Sequence, residues 1–154
     1  TLVAEQPFWE GTSRRVEWGA GNADPFLPGP PFVIGGGQNL DNAALDNPGD
    51  VPVWTTWRVH GPCPSARVGV AGATVEVPFA VAAGEVLVID TAPDAQTAIL
   101  YSSPDATGAG VDKTGQLGAA AFAPVPPGEQ VVLSLQAAGG RVECEITPLY
   151  YRAW

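Results

Sequence analysis

The 154-residue chain has no methionine, one histidine (His60) and one lysine (Lys113). No apolar run reaches about 18 residues, the length that a membrane-spanning helix needs, so we predict no transmembrane segment. The first residues have neither the basic region nor the apolar stretch of a secretory signal. Because an initiator methionine is also lacking, we expect the chain to be a processed or excised piece of a longer protein.

Positive charge is scarce as well, since seven lysines and arginines face sixteen acidic residues and the formal net charge is −9. A surface of this sign repels polyanions, so we predict that the chain does not bind nucleic acid. The two cysteines cannot build a metal cage or a disulfide framework. Cys144 alternates with apolar neighbours and is predicted to be a small buried residue, while Cys63 lies in a Gly-Pro-Cys-Pro turn. Whether the two are bonded is left open.

Catalytic residue sets are also sparse. A Ser-His-Asp or Cys-His device would have to use His60, which the strand pattern places on the outer face at a strand end; we interpret it as a surface or interface histidine. Glu143 and Glu145 are two residues apart and are predicted to point outward together as solvated charges, unlike the facing acids of a glycosidase. We therefore predict no enzyme activity, no catalytic residues and no cofactor.

Metal and phosphate sites receive little support. A zinc site built on His60 has no further ligands at useful spacing. Gly35, Gly36 and Gly37 are not followed by the Lys-Ser/Thr pair of a phosphate loop. Calcium would need the oxygens of a polar cluster that also suits an ordinary turn: Asp41, Asn42, Asp46, Asn47 and Asp50. We predict no metal.

Turn-forming residues are frequent instead: 19 glycines and 16 prolines separate short apolar runs, and no helical pattern appears. The predicted strands cover residues 40–45, 51–60, 67–70, 74–79, 84–90, 97–101, 119–123, 130–136 and 141–151. This spacing predicts an all-β fold, a two-sheet antiparallel β-sandwich of jelly-roll or galectin-like type, over residues 40–154. Residues 1–39 are predicted to be an extended N-terminal arm or linker, with a short extended segment at 16–18. Within the sandwich, residues 102–118 are predicted to be a loop.

The strand at 51–60 alternates most clearly. Val53, Thr55, Trp57 and Val59 share the face predicted to be core, and Trp54, Thr56, Arg58 and His60 share the outer face. An outward tryptophan can stack on a sugar, anchor a protein contact or be covered by the N-terminal arm; the last of these is favoured. We predict Trp54, Arg58 and His60 as binding residues, for protein or glycan, together with the loop at 102–118.

The order of these motifs resembles the C-terminal half of siphovirus-type phage tail component proteins, the distal tail or baseplate hub family. The likeness runs mainly from about residue 40 onward. The segments that carry it are Glu5-Gln6-Pro7-Phe8-Trp9, Asn47-Pro48-Gly49-Asp50 with Pro52-Val53-Trp54, Trp57-Arg58-Val59-His60-Gly61-Pro62, Gly84-Glu85-Val86-Leu87-Val88-Ile89-Asp90-Thr91, Phe122 to Pro127-Gly128-Glu129, and Tyr151-Arg152-Ala153-Trp154.

The resemblance implies a structural protein of the virion, assembled in the host cytoplasm and placed at the tail tip. In this family an N-terminal belt domain forms a ring, and a galectin-like sandwich projects from it as a docking platform for other tail, baseplate or receptor-binding proteins. Here residues 1–39 would be the remnant of the belt domain or the connection to it, and a homo-oligomeric ring is expected of the full-length protein. The alternative is a carbohydrate-binding module that attaches to host-surface glycans.

Overall fold

The computed structural model describes residues 7–19 and 43–152, and over these ranges the chain forms β-strands and one short 3₁₀ turn, with no α-helix. The 3₁₀ turn covers Thr114–Gln116. The strands, in chain order, are β1 (Trp9–Glu10), β2 (Arg14–Gly19), β3 (Ala44–Asp46), β4 (Thr56–His60), β5 (Ala66–Val70), β6 (Ala73–Val77), β7 (Val86–Asp90), β8 (Thr97–Tyr101), β9 (Val111–Asp112), β10 (Gln130–Ala137), β11 (Arg141–Ile146) and β12 (Leu149–Tyr150).

The strands form two main sheets and one short ribbon. One sheet has six strands in the order β2-β11-β4-β7-β8-β9, and the other has four in the order β3-β10-β5-β6. The ribbon pairs β1 with β12. All of these strand pairs are antiparallel. The predicted all-β antiparallel sandwich is therefore confirmed, while its jelly-roll or galectin-like character stays a prediction.

The inner faces of the two main sheets share one apolar core. Trp57 and Val59 of β4 are almost completely buried, as the period-2 alternation predicted. They pack in the same cluster as Leu133 and Leu135 of β10. Cys144 is fully buried on the inner face between Val142 and Ile146, also as predicted. The side chains of both inner faces are buried against each other in one apolar layer, and this burial holds the two sheets together.

Several predicted elements change length. The regular part of the strand expected at 51–60 begins only at Thr56, because Val53 makes an isolated bridge to Val125 instead. The strand expected at 119–123 is reduced to one bridge between Ala120 and Val75. The hairpin expected at 67–79 forms as β5 and β6, and its turn, Ala71–Gly72, has φ values of 49° and 86°. Two successive positive φ values match the right-handed twist of the strands.

The long loop expected at 102–118 contains more structure than predicted, since β9 and the 3₁₀ turn lie within it. Its first part turns back over the outer face of the six-stranded sheet. A Cβ added to Gly110 would lie 2.2 Å from Ile99 Cγ2, so this close approach requires glycine. Val86, on the outer face of β7, is fully buried, so this end of the outer face is covered.

Part of the predicted N-terminal arm belongs to the sandwich. Arg14–Gly19 forms β2, which pairs residue by residue with β11 from Arg14↔Ile146 to Gly19↔Arg141. Trp18 of this strand is buried in the core, in agreement with the extended segment predicted at 16–18. Residues 1–6, 20–42, 153 and 154 lie outside the described residues, and so does the first half of the strand predicted at 40–45; its second half contributes Ala44 and Leu45 to β3.

Candidate functional site

The three predicted binding residues lie along one side of the six-stranded sheet. Arg58 and His60 are two residues apart on β4 and point to the outer face, away from Trp57 and Val59. Trp54 precedes β4 and is partly buried. The face predicted for these residues is confirmed. His60 is only 8% exposed, so it is not a surface histidine, and the alternative of an interface histidine stays a prediction.

Charged side chains from three neighbouring strands meet here because of the antiparallel register. β11 lies between β2 and β4, and Glu143 is paired across the strands with Glu17 on one side and Arg58 on the other. Two residues along the same face, Glu145 is paired with Arg15 and Thr56. Outer-face side chains of adjacent strands are close enough to interact, so acids of β11 contact arginines of both neighbours.

Glu145 is held by two arginines. Its Oε2 accepts hydrogen bonds from the guanidinium groups of Arg58, at 2.5 Å, and Arg15, at 2.9 Å. Burial alone would raise the pKa of Glu145, but the hydrogen bonds from Arg58 and Arg15 outweigh it and hold the pKa below its ordinary value. The hydrogen bond to Glu145 likewise raises the pKa of Arg15. Both groups are therefore charged at neutral pH.

Glu143 is the most deeply buried acid of the cluster, with 4% of its surface exposed. Its Oε1 lies 3.0 Å from His60 Nε2 and 3.0 Å from Nη2 of the Arg141 guanidinium, which forms an ion pair with it. Its Oε2 is buried and accepts no hydrogen bond among the described residues. The nearest cation to Oε2 is Arg15, whose Nη1 lies 3.4 Å away without the alignment of a hydrogen bond. The prediction that Glu143 and Glu145 are solvated charges was therefore wrong.

His60 is covered by Arg141. Arg141 Nη2 lies 3.4 Å from Nδ1 and 3.3 Å from Nε2 of the imidazole, and these nearly equal distances place it against the ring face. Burial, and then the positive charge of Arg141, lower the pKa of His60, with Glu143 opposing them. The turn before β11 makes this approach possible, because Gly140 has φ of 71° and a Cβ there would lie 2.1 Å from the carbonyl oxygen of His60.

Two hollows open beside this cluster, and Arg58 lines both. The first, which we call the tryptophan hollow, has a volume of about 310 Å³ and is lined by side chains that include Trp54, Arg58, Glu10, Thr56, Glu145 and Thr147. The second, which we call the polar hollow, has a volume of about 190 Å³ and is lined by Arg15, Arg58, His60, Asp105, Arg141 and Glu143, with Pro104. The predicted residues thus border two adjacent hollows, and the loop predicted to take part contributes Pro104 and Asp105.

A separate surface lies at the β1–β12 ribbon. Trp9 is 59% exposed and Tyr151 is 65% exposed. Phe8 and Tyr151 are in edge-to-face contact, with ring centroids 5.7 Å apart. Trp9 lies opposite Tyr150, so these two side chains share one face of the ribbon, whereas strand alternation directs Phe8 and Tyr151 to the other face. We call the face that carries Trp9 and Tyr150 the terminal aromatic patch. The aromatic residues near both ends of the sequence were noted from composition, but their meeting on one ribbon was not predicted.

The polar cluster considered for calcium serves the turn instead. The amide nitrogen of Asn47 donates hydrogen bonds to the carbonyl oxygens of Val51 and Val125, and its Oδ1 accepts one from the backbone N–H of Gly49. Asp46 forms an ion pair with Arg14 at 2.8 Å. Asp41 and Asn42 lie outside the described residues.

No group of three or more His, Cys, Asp or Glu side chains is arranged to hold a metal ion in the part of the chain that the structure describes. No helix within 7–19 and 43–152 has the length and apolar character to span a membrane. Cys63 and Cys144 are both buried and free, which answers the question of their pairing. No protein-family model, curated protein or solved structure matches the chain.

Sequence reasoning missed Arg15, Arg141 and Glu143 as members of the site. Their signal was present as alternation of charged and apolar residues along residues 14–18 and 141–146. That alternation identifies the outer face of each strand, but it does not say which strands are neighbours.

Proposed function

We propose that this chain is the peripheral β-sandwich of a phage or prophage minor tail protein of the distal tail type. In this proposal it is a docking platform for other tail-tip, baseplate or receptor-binding proteins. The observation that carries the proposal is the terminal aromatic patch, where Trp9 is 59% exposed and lies opposite Tyr150. A large exposed aromatic side chain is typical of the anchor of a protein contact site.

The patch has the rigidity that a docking surface needs. Trp9 is paired with Tyr150 in the β1–β12 ribbon. Next to it, Gly11 N–H donates to the Pro148 carbonyl and Asp50 N–H donates to the Leu149 carbonyl, both at 2.8 Å. A backbone held on both sides loses little freedom when a partner binds, so more of the contact energy appears as affinity.

Trp9 is the expected anchor of the contact. A tryptophan side chain buries about 150–250 Å². Covering the exposed 59% of Trp9 at roughly 25 cal/mol/Å² would therefore contribute about 2–4 kcal/mol. A contribution of this size is that of an interface hot spot rather than of a peripheral contact.

The proposal is tested with the tail-tip proteins encoded beside this chain in its genome. Binding of each purified neighbour to the immobilised chain is measured by surface plasmon resonance. We expect Trp9→Ala to weaken the binding by at least about tenfold. Val132→Ala is the matched control, because Val132 is also 59% exposed but lies on β10 of the four-stranded sheet, which does not include the ribbon. Absence of binding by any neighbour, or equal losses in both variants, would count against the proposal.

A second candidate function, attachment to host-surface glycans, is favoured by the tryptophan hollow. Trp54 there borders Arg58, Glu145 and the hydroxyl groups of Thr56 and Thr147. An aromatic face beside charged and hydroxyl groups suits a sugar ring, which has both apolar and hydrogen-bonding surfaces.

The two candidates are separated by one pair of variants. In a fluorescence titration with cell-wall saccharides, Trp54→Ala should abolish the response and Trp9→Ala should keep it. In the docking measurement Trp9→Ala should weaken binding of the partner protein, and Trp54→Ala should leave it unchanged. A saccharide response that survives in Trp54→Ala would remove the tryptophan hollow from the second candidate function.

A further inference from the structure

We infer that β2 is a contact between two copies of this chain, whose β2 strands pair antiparallel across a two-fold axis. The partner is therefore a second copy, and the contact joins the two six-stranded sheets edge to edge. It lies on a different strand from the terminal aromatic patch and does not rest on the docking function.

The first observation is the open edge of β2. Among the described residues this strand pairs only with β11, and it is six residues long, whereas β9 at the opposite edge has two. In the four-stranded sheet, β3 has three residues, and β6 is covered by the segment at 119–121, which exchanges backbone hydrogen bonds with Thr74 and Glu76. The backbone groups along a long open edge can pair with another strand.

The second observation is which residues present their backbone at that edge. The direction of backbone hydrogen bonds alternates along an antiparallel strand. Gly61, directly after β4, donates its N–H to the carbonyl of Glu85 on the β7 side. Followed through the register of β7, β4, β11 and β2, this alternation turns the backbone groups of Val16 toward β11. Those of Arg15 and Glu17 therefore face the open edge, where no described strand pairs with them.

Charge selects one register for the pairing. With the two-fold axis at Val16, Arg15 of each copy lies opposite Glu17 of the other, so two pairs of opposite charge form. The neighbouring registers that keep the backbone groups in phase are centred on Arg15 or on Glu17, and they oppose two arginines or two glutamates. Opposite charges stabilise directly opposed strand positions, and like charges destabilise them.

Both charged side chains can reach a second copy, since each is 52% exposed. The ion-pair contact of Glu17 is with Arg141 at 3.7 Å, which is longer than a hydrogen bond. Arg15 is bonded to Glu145 through Nη2, but a guanidinium has five N–H groups and can bind a further carboxylate. The backbone thus supplies the pairing, and these two side chains set its register.

The inner face of β2 fits the same axis. Val16 is only partly buried where it packs against the core. In the proposed register the two Val16 residues form a non-hydrogen-bonded pair with Cα atoms about 4.5 Å apart, so each side chain covers the other. The contact is small, and the formal net charge of −9 on each copy opposes association. We therefore expect a weak dimer that forms as the concentration rises.

Sedimentation velocity of the full chain, from about 10 μM to about 0.5 mM, measures the equilibrium. Glu17→Arg should weaken the dimer by about tenfold, because it replaces two pairs of opposite charge with two pairs of like charge. Glu129→Arg, at an exposed turn, is the matched control. It changes the net charge by the same amount and should not weaken the dimer, since it lowers the overall repulsion.

A mixture of two variants tests the charge pairs themselves. Glu17→Arg and Arg15→Glu should each be monomeric alone, but together they should form a mixed dimer in which every opposed pair is again Arg and Glu. Glu17→Pro decides the question if Arg15→Glu does not fold. It removes an N–H that faces the open edge and none that bonds to β11, so it should abolish the dimer and keep the fold.

The register is tested with introduced cysteines, since the native Cys63 and Cys144 are both buried. Val16→Cys should give a disulfide-linked dimer under mild oxidation, because the two Cα atoms meet at the axis within the range of a disulfide. Glu17→Cys should link more slowly although its side chain is more exposed, because each residue 17 lies opposite residue 15 of the other copy.

Four results would overturn the inference. They are a wild-type chain that stays monomeric over the whole concentration range, equal dimerisation of Glu17→Arg and Glu129→Arg, no mixed dimer from folded Glu17→Arg and Arg15→Glu, or faster linking of Glu17→Cys than of Val16→Cys.

Discussion

Replacing Glu145 tests the ion-pair cluster. The structure fixes the sign, the size and the pH dependence of the resulting change in the free energy of unfolding. Its Oε2 is bonded to Arg58 at 2.5 Å and to Arg15 at 2.9 Å. A hydrogen bond to a charged group contributes about 1.5–3 kcal/mol, but exposed pairs contribute only about 0–1 kcal/mol. The Arg15 side chain is about half exposed, so most of the effect should come from Arg58.

We therefore expect Glu145→Gln to lower the free energy of unfolding at pH 7 by about 2 kcal/mol, the sum of roughly 1.5 from Arg58 and 0.5 from Arg15. For a domain of this size the midpoint of thermal unfolding should fall by about 4–8 °C. Urea denaturation followed by tryptophan fluorescence measures the change. Glu129→Gln, an exposed glutamate at a turn, should change stability by no more than about 0.5 kcal/mol.

The difference between wild type and Glu145→Gln should also depend on pH. The folded state holds the pKa of Glu145 below its ordinary value of 4.5. The unfolded chain thus binds the proton more tightly, and the stabilisation is complete above pH 4.5 and is lost as pH falls through the folded pKa. The difference should shrink steadily as the pH is lowered from 4.5. A difference that stays constant with pH, or one equal to that of Glu129→Gln, would refute this account of the cluster.

Three further predictions concern the core, the thiols and a turn. Trp57→Ala should cost about 3–5 kcal/mol in urea denaturation, because Trp57 is 1% exposed, and Trp54→Ala less than half as much; the reverse order would invert the face assignment. Burial raises the pKa of the Cys63 and Cys144 thiols, so mass spectrometry should find neither alkylated by iodoacetamide in the native protein and both in denaturant. Ala71→Gly should raise the free energy of unfolding by up to about 1 kcal/mol, since Ala71 has φ of 49°, and the midpoint of thermal unfolding should rise with it. A lower midpoint in the variant would contradict this turn geometry.

The sequence predicted the strands and their faces well because both depend on near neighbours. The alternation that places Trp57 inside and Arg58 outside is a property of a few consecutive residues. The turn at Ala71–Gly72 is likewise fixed by the residues that form it. Such local signals were enough to predict an all-β sandwich.

The site could not be predicted in the same way because it is made by distant residues. Arg15 and Glu145 are separated by 130 positions in the sequence, and they meet only because β2 and β11 are neighbours. The burial of His60 and Glu143 also comes from other elements, including Arg141 and the loop at Pro104 and Asp105. Alternation gave their face correctly, but their exposure depends on what covers that face.

We propose that the terminal aromatic patch joins this chain to other proteins of a phage tail. Photo-crosslinking in assembled particles tests it most directly, with p-benzoylphenylalanine in place of Trp9 and, as the control, of Val132, which is equally exposed on β10. We predict that position 9 crosslinks to one defined tail-tip protein and that position 132 does not. Particles that lack this chain, or crosslinks that do not differ between the two positions, would contradict the claim.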